Sequence, residues 1–196
     1  MNTASLHPTP DPDLVKLPCK RTLSRPINLS TINVRGLCDL LKQKMFLQHC
    51  EFLSLDIIGL SELHFKTTAP TRSIEFQNDL TYCSYWAPDP TSTASGVGIL
   101  IRKDLKNHIH STECFMGRLL MANFFFKQKT KLRIIQVYMP ASNENLTVVL
   151  KNKIKEWIDD ASHNGYIIFV MGDFNVNIDS YNSKVSNNRS TTGKAF

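Results

Sequence analysis

Five side chains able to hold a cation or contact a phosphate stand at the carboxyl ends of apolar runs: Asn33, Glu62, Tyr138, Asp173 and Asn175. Asn33 closes the alternating stretch 27–32, and Glu62 follows the run 56–60. Tyr138 ends the run 132–137, and Asp173 and Asn175 come after 166–172. Carboxylates are hard oxygen ligands of the kind Mg²⁺ takes, and Mg²⁺ keeps several waters, so one or two of them suffice. A phosphate ester is anionic and its esters leave poorly. Its hydrolysis needs charge neutralisation, an oriented water and help for the leaving oxygen, which is the chemistry this inventory suits. Taken singly, each residue has a structural explanation. Asn and Asp after strands serve as turn residues, a lone Glu is usually solvated, and Tyr138, two before Pro140, can cap a core.

The elements that must position them are legible as hydropathy patterns. Alternation over 27–33 predicts a strand. Leu37, Leu40, Leu41, Met45 and Phe52 fall near helical spacing and predict an amphipathic helix over 37–52. Short apolar runs at 56–60, 82–86 and 96–101 read as strands, separated by a polar loop with Pro70 and a turn-rich loop over 88–95. Segments 119–126 and 132–138 flank a lysine-rich turn and read as a hairpin whose lysines keep its tip soluble. Between Asn143 and His163, Leu146, Val149, Leu150, Ile154, Trp157 and Ile158 line one helical face, and Gly165 follows its end. The run 166–172 is a buried central strand. Strand, helix, strand, antiparallel strands, helix, strand predicts an α/β (or α+β) layered sandwich. Ligand sites of such sheets collect at strand carboxyl ends, where the five polar residues stand.

Residues 1–26 are rich in Pro, Ser and Thr and read as a disordered leader. Residues 27–178 read as the folded domain, and 179–196 as a disordered tail without an apolar face. The net charge of +6 spreads evenly: 1–26, 27–176 and 177–196 carry +2 each. Charge alone therefore does not single out a nucleic-acid partner. The five cysteines are scattered without a CxxC pair, which suggests neither a zinc site nor a disulfide framework. No run approaches the roughly 18 apolar residues of a membrane span, and the opening residues lack the apolar stretch of a secretory signal. The expectation is an intracellular protein of nucleus or cytoplasm, with no membrane association and no stable protein partner.

The local text around these residues resembles the endonuclease/exonuclease/phosphatase (DNase I-like) family. Asn33-Val34-Arg35-Gly36-Leu37 is similar to the family's opening Asn motif, and Ser61-Glu62-Leu63-His64 to its Gln-Glu-Thr-His element. Ser95-Gly96-Val97-Gly98-Ile99-Leu100 resembles its Gly-Val-Gly/Ala-Ile-Leu strand, and Gly117-Arg118 the Gly-Arg opening the next. Val137-Tyr138-Met139-Pro140 resembles its Val-Tyr-x-Pro turn, and Gly172-Asp173-Phe174-Asn175 its Gly-Asp-Phe-Asn tetrapeptide. The six occur in family order over about 27–178. The apurinic-site repair nucleases and the endonuclease domains of non-LTR retrotransposons look most similar.

That resemblance implies a four-layer α/β/β/α sandwich and Mg²⁺, with Mn²⁺ as the substitute ion. It implies DNA as substrate, Glu62 and Asn33 at the metal, and Asp173, Asn175 and Tyr138 as the catalytic set. Arg118 and Asn175 would contact phosphate, although Arg118 also suits a structural anchor. Two departures stand out. Arg35 replaces an acidic residue of the repair nucleases, and nothing after Asn175 matches the family's terminal Ser-Asp-His. The expectation is accordingly a partial sandwich, truncated at its C-terminus, with the apolar Phe124, Phe126 and Ile135 short of cover and activity weak or lost. The alternatives are a phosphatase of the same fold acting on inositol phosphates or other phosphate esters, and a non-catalytic remnant.

Overall fold

The chain's described residues follow the order β1 (Leu29–Asn33), α1 (Leu40–Phe52), β2 (Ile57–Ser61), β3 (Tyr82–Ala87), β4 (Val97–Arg102), β5 (Ile109–Phe115), β6 (Leu119–Phe125), β7 (Lys131–Tyr138), α2 (Glu144–His163) and β8 (Tyr166–Asp173). The computed structural model describes residues 26–65, 76, 79–89, 92 and 95–176. The expected leader (Pro26 apart), the tail 179–196 and the loop around Pro70 lie outside the described residues. No described helix is long and apolar enough to cross a membrane.

The strands form two four-stranded sheets, ordered β1-β2-β4-β3 and β5-β6-β7-β8. Each sheet contains one parallel pair joined through a helix, β1 with β2 through α1 and β7 with β8 through α2. The remaining neighbours are antiparallel. Three apolar layers hold the molecule together. Leu47, Cys50, Ile58, Leu60 and Leu100 join α1 to the first sheet. Ile57, Ile99, Ile101, Leu120, Phe124 and Ile134 fill the space between the sheets. Leu119, Ile135, Leu150, Ile154 and Trp157 join the second sheet to α2. The architecture is therefore the expected four-layer α/β/β/α sandwich.

β2, buried at every position, is the continuous apolar run that a strand covered on both faces requires. α2 begins at Asn143, whose side chain accepts from the Leu146 amide at 2.9 Å. Its Leu150, Ile154, Trp157 and Ala161 are buried. Arg133 docks it on the second sheet, donating to the Trp157 carbonyl at 2.6 Å and pairing with Asp160 at 2.8 Å.

Four expectations are corrected. β5 carries no apolar signal, because as an edge strand it exposes most of its length, and periodicity passes over it. The 37–52 helix begins at Leu40, capped by Asp39, and buries Gln43, Leu47 and Cys50, while Leu41, Met45 and Phe52 are 66, 61 and 84% exposed. The Lys42 ammonium donates to the carbonyls of Val34 and Gly36 at 2.8 and 2.6 Å, and the Gln43 amide to that of Leu37 at 2.5 Å. These bonds turn the polar row towards the body. Finally, Phe124 and Ile135 are fully buried, and Phe126 stacks in line with Phe124. The exposed apolar side chains of the second sheet are Phe125 at the end of β6 and Ile167 and Phe169 on β8, which is an edge strand and not the buried central strand expected over 166–172.

Candidate active site

Both parallel pairs end on the same side of the molecule, because β1 lies against β8 and the register pairs Asn33 with Ser61 and Tyr138 with Asp173. Four strand ends thus deliver Asn33, Glu62, Tyr138 and Asp173 to one place. The Asn33 amide nitrogen donates to Glu62 Oε1 at 2.8 Å and to Asp173 Oδ2 at 2.9 Å. The Tyr138 hydroxyl donates to the same Glu62 oxygen at 3.0 Å. The backbone amide of Asn175 donates to Asp173 Oδ1 at 3.0 Å. The Asn33 side-chain oxygen accepts from the Arg35 amide at 3.1 Å, so the NH₂ end of the amide is the one turned to the carboxylates.

The backbone around these groups is tightly specified. Glu62 sits at φ 57° and Arg35 at φ 46°, in the left-handed region that costs a side-chain-bearing residue about 1–2 kcal/mol. The surrounding backbone hydrogen bonds hold them there. Gly36 donates to the Glu62 carbonyl at 2.6 Å, Leu37 to that of Leu63 at 2.9 Å, and Leu63 to that of Gly96 at 3.2 Å. On the second sheet, Met139 donates to the Asp173 carbonyl at 2.9 Å, and the Asn175 side chain to the Met139 carbonyl at 2.7 Å. Gly172 has φ 142°, and a Cβ there would lie 2.0 Å from the Val137 carbonyl oxygen. Only glycine lets β8 approach β7 closely enough to set Asp173 beside Tyr138.

The Tyr138 hydroxyl is pushed above the ordinary tyrosine range, first by burial and then by its bond to Glu62 and that carboxylate's charge, with Arg118 opposing. It therefore remains a donor across physiological pH. The Arg118 guanidinium lies 5.0 Å from the centre of the Tyr138 ring and 3.7 Å from the Asp89 carboxylate, and its backbone carbonyl accepts from the Tyr138 amide at 2.8 Å. Asp89 also accepts from the Ser95 hydroxyl at 2.6 Å. Gly117 makes room, since a Cβ there would meet the Asp89 backbone at 2.3 Å.

All six residues singled out in the sequence therefore lie in one connected neighbourhood, Arg118 joining it through Tyr138. Sequence reading passed over three contributors. Thr31 lines the same shallow cleft of about 650 Å³ as Asn33, Gly172, Asp173 and Asn175. Asp89 holds Arg118, and the Met139 carbonyl holds Asn175. Two prolines flanking Asp89 were the one available signal, and nothing in the sequence marks a backbone carbonyl as a ligand.

Two carboxylates on one amide nitrogen lie within about 6 Å of each other, a like-charge contact costing of order 3 kcal/mol at an effective dielectric of about 20, before solvent screening. A single neutral amide offsets little of that. Hard anionic oxygens gathered this way, partly exposed beside an open cleft, fit a divalent cation that retains water. Among the described residues no group of three or more His, Cys, Asp or Glu is placed to hold a metal ion, so the oxygen pair of Glu62 and Asp173 is the donor set to consider.

Two sheets carrying an Asn-bridged carboxylate pair at the ends of their parallel strands define a class, and sequence comparison identifies it. Residues 30–192 match the model of the endonuclease/exonuclease/phosphatase family, and the chain belongs to that family. No curated protein matches the chain. Solved structures with the same DNase I-like fold include the following three. The human Nocturnin catalytic domain, with bound sulfate, gives a TM-score of 0.56 at 15% identity over 77% of this chain and 65% of that one. A 3′-5′ exonuclease from Neisseria meningitidis gives 0.57 at 17% over 76% and 57%. An AP endonuclease from Leishmania major gives 0.50 at 16% over 63% and 43%. The chain spans less than two thirds of the length of each. Identities this low show the fold alone.

Proposed function

We propose that this chain is a DNA endonuclease domain of the retrotransposon type that hydrolyses phosphodiester bonds with Mg²⁺, Mn²⁺ substituting. The observation that carries the reading is the Asn33 amide bridging Glu62 and Asp173 at 2.8 and 2.9 Å, with the Tyr138 hydroxyl on the same Glu62 oxygen. The short loops around Val137 to Asn145 and the Gly117-Arg118 element, similar to that of the repair nucleases, favour DNA over a lipid phosphate, and the shallow cleft beside Asp173 suits a polymer passing across it.

Glu62 and Asp173 would hold the ion, which when bound neutralises charge on the phosphate. Asn33 keeps the two carboxylates converged, acting as their positioning group, with its oxygen committed to the Arg35 amide. Asp173 orients an attacking water and accepts its proton, held in place by the Asn175 amide and by Asn33. Tyr138, kept protonated, would turn its one hydroxyl proton from Glu62 to a phosphate oxygen once that carboxylate holds the ion, and Arg118 fixes its ring from behind. Asn175, tethered to the Met139 carbonyl, lines the cleft where the phosphate would lie.

The test is nicking of supercoiled plasmid in Mg²⁺ or EDTA by the wild type and Asp173→Ala. Loss of general-base catalysis predicts at least about a 10²-fold slower rate for the variant and none in EDTA. Equal nicking by both proteins would overturn the assignment. Phosphate release from inositol esters without nicking would move the substrate to the phosphatase class.

A further inference from the structure

The same strand polarity that gathers acids at one end leaves bases at the other. β7 runs from Lys131 to Tyr138, so its amino end lies about 23 Å from the site at about 3.3 Å per residue. That end includes the turn between β6 and β7, the start of β5 and the 3₁₀ segment Lys103–His108 before it. Lys127 and Lys129 are exposed on the turn and Lys106 on the 3₁₀ segment, and none has an ion-pair partner among the described residues. Of the acidic groups near the 3₁₀ segment, Asp56 and Asp104 pair with Arg102, and Asp79 accepts from the amides of Thr81 and Tyr82.

Two further features set this end apart from an ordinary solvated tip. Gln128 and Lys129 lie at φ 60° and 61°, consecutive left-handed residues where a hairpin turn normally takes Asn-Gly. A lysine therefore stands where glycine would be relaxed, on a backbone that holds it outward. Beside the turn, the exposed His110 ring stacks on Phe125 at 4.2 Å and 12°. Lys131 lies 5.8 Å from the Phe125 centroid. The outer ring of this stack has no hydrogen-bond partner among the described residues. Lys131 itself is held by the Asn164 carbonyl at 3.1 Å. An exposed flat ring at the same end of the sheet as exposed lysines without ion-pair partners is the combination that binds single-stranded nucleic acid, by base stacking and by phosphate contact. The turn itself bears no apolar side chain to enter a bilayer.

We infer that the amino-terminal end of the second sheet is a separate binding surface for single-stranded nucleic acid. Lys106, Lys127 and Lys129 contact the backbone there, and a base stacks on His110. The surface holds a strand without cutting it, since the carboxylate pair stands at the far end, and it does not depend on the hydrolytic reading.

The experiment is fluorescence anisotropy of a labelled oligothymidylate with the full chain in EDTA, across a salt series. Lys106→Glu/Lys127→Glu/Lys129→Glu should weaken binding at least about tenfold and lower the salt slope by about 2, at about 0.7 for each phosphate no longer neutralised. His110→Ala should weaken it about fivefold or more, the low end for removing one base stack. Lys44→Glu/Lys151→Glu/Lys155→Glu makes the same charge change on other exposed faces and should retain most of the affinity. Circular dichroism checks that each variant is folded. Equal losses in the two triple variants, no effect of His110→Ala, or tighter capture by phosphatidylserine vesicles than by the oligonucleotide would each overturn the inference.

Discussion

Asn33 is exposed, yet its one amide group serves Glu62, Asp173 and Arg35. Asn33→Ala should therefore spare the fold, shifting stability by less than about 1 kcal/mol as surface substitutions do. It should slow plasmid nicking by about 10²-fold, because the carboxylates lose their common donor. Adding Mg²⁺ to the metal-free wild type should raise Tm, since a ligand bound only by the folded state stabilises it. Glu62→Ala should abolish that rise. The opposite profile belongs to Gly172. Its Cβ would overlap the Val137 carbonyl at a φ forbidden to alanine, so Gly172→Ala should cost about 3 kcal/mol, read as a lower urea midpoint, with nicking lost through misplacement of Asp173. Each of these residues was legible as a type in the sequence. The division proposed for them, into positioning, ligating and spacing groups, was not, because it depends on which atoms meet.

At the scale of elements, α1 and β3 couple stability to alkaline pH. Burial pushes the Cys50 thiol up to about 12, with Asp79 and Glu51 adding to it. Burial likewise raises the Tyr82 hydroxyl above the ordinary tyrosine range, followed by the charges of Cys50 and Glu51, while Tyr82 donates to the Leu55 carbonyl at 2.8 Å. Both groups are harder to ionise folded than unfolded, so the unfolded state gives up its protons first as pH rises. Their contribution is whole below about 8.5 for the thiol and about 10 for the phenol, and it is lost progressively above those values. Urea titrations between pH 7 and 11 should show stability falling, with a shallower fall in Cys50→Ala and in Tyr82→Phe. The second variant should also lose about 1–2 kcal/mol at neutral pH, having left the Leu55 carbonyl unpaired. Hydropathy found both elements, but it began α1 three residues early and assigned its buried face to the apolar row that the structure leaves outside. The Lys42 and Gln43 bonds to the loop after β1 decide that rotation, and no periodicity encodes them.

For the molecule as a whole, the arrangement that makes the site also leaves β1 and β8 as sheet edges on one side. β8 presents Ile167 and Phe169 at 55 and 46% exposed. An edge strand with unpaired backbone and apolar side chains is prone to associate. Ile167→Lys/Phe169→Lys should shift the sedimentation profile towards monomer at high concentration, without slowing nicking per molecule, since both residues lie towards the end of β8 away from Asp173. Unchanged sedimentation would show that this edge is not where the chains meet.

The sequence by itself determined which residues are chemically able, which runs are strands and helices, and the motif order that marks the family. Those are local properties, carried by residue type, periodicity and turn chemistry. Only the tertiary structure decided that β1 with β2 and β7 with β8 run parallel and end on one side, bringing Asn33 and Asp173 within 2.9 Å across 140 residues of chain. It alone placed the exposed strand β5, the outward row of α1 and the basic far end. Strand pairing and relative polarity are set by how three buried layers fit together. That fit is a sum over contacts distant in the chain, which no local pattern contains.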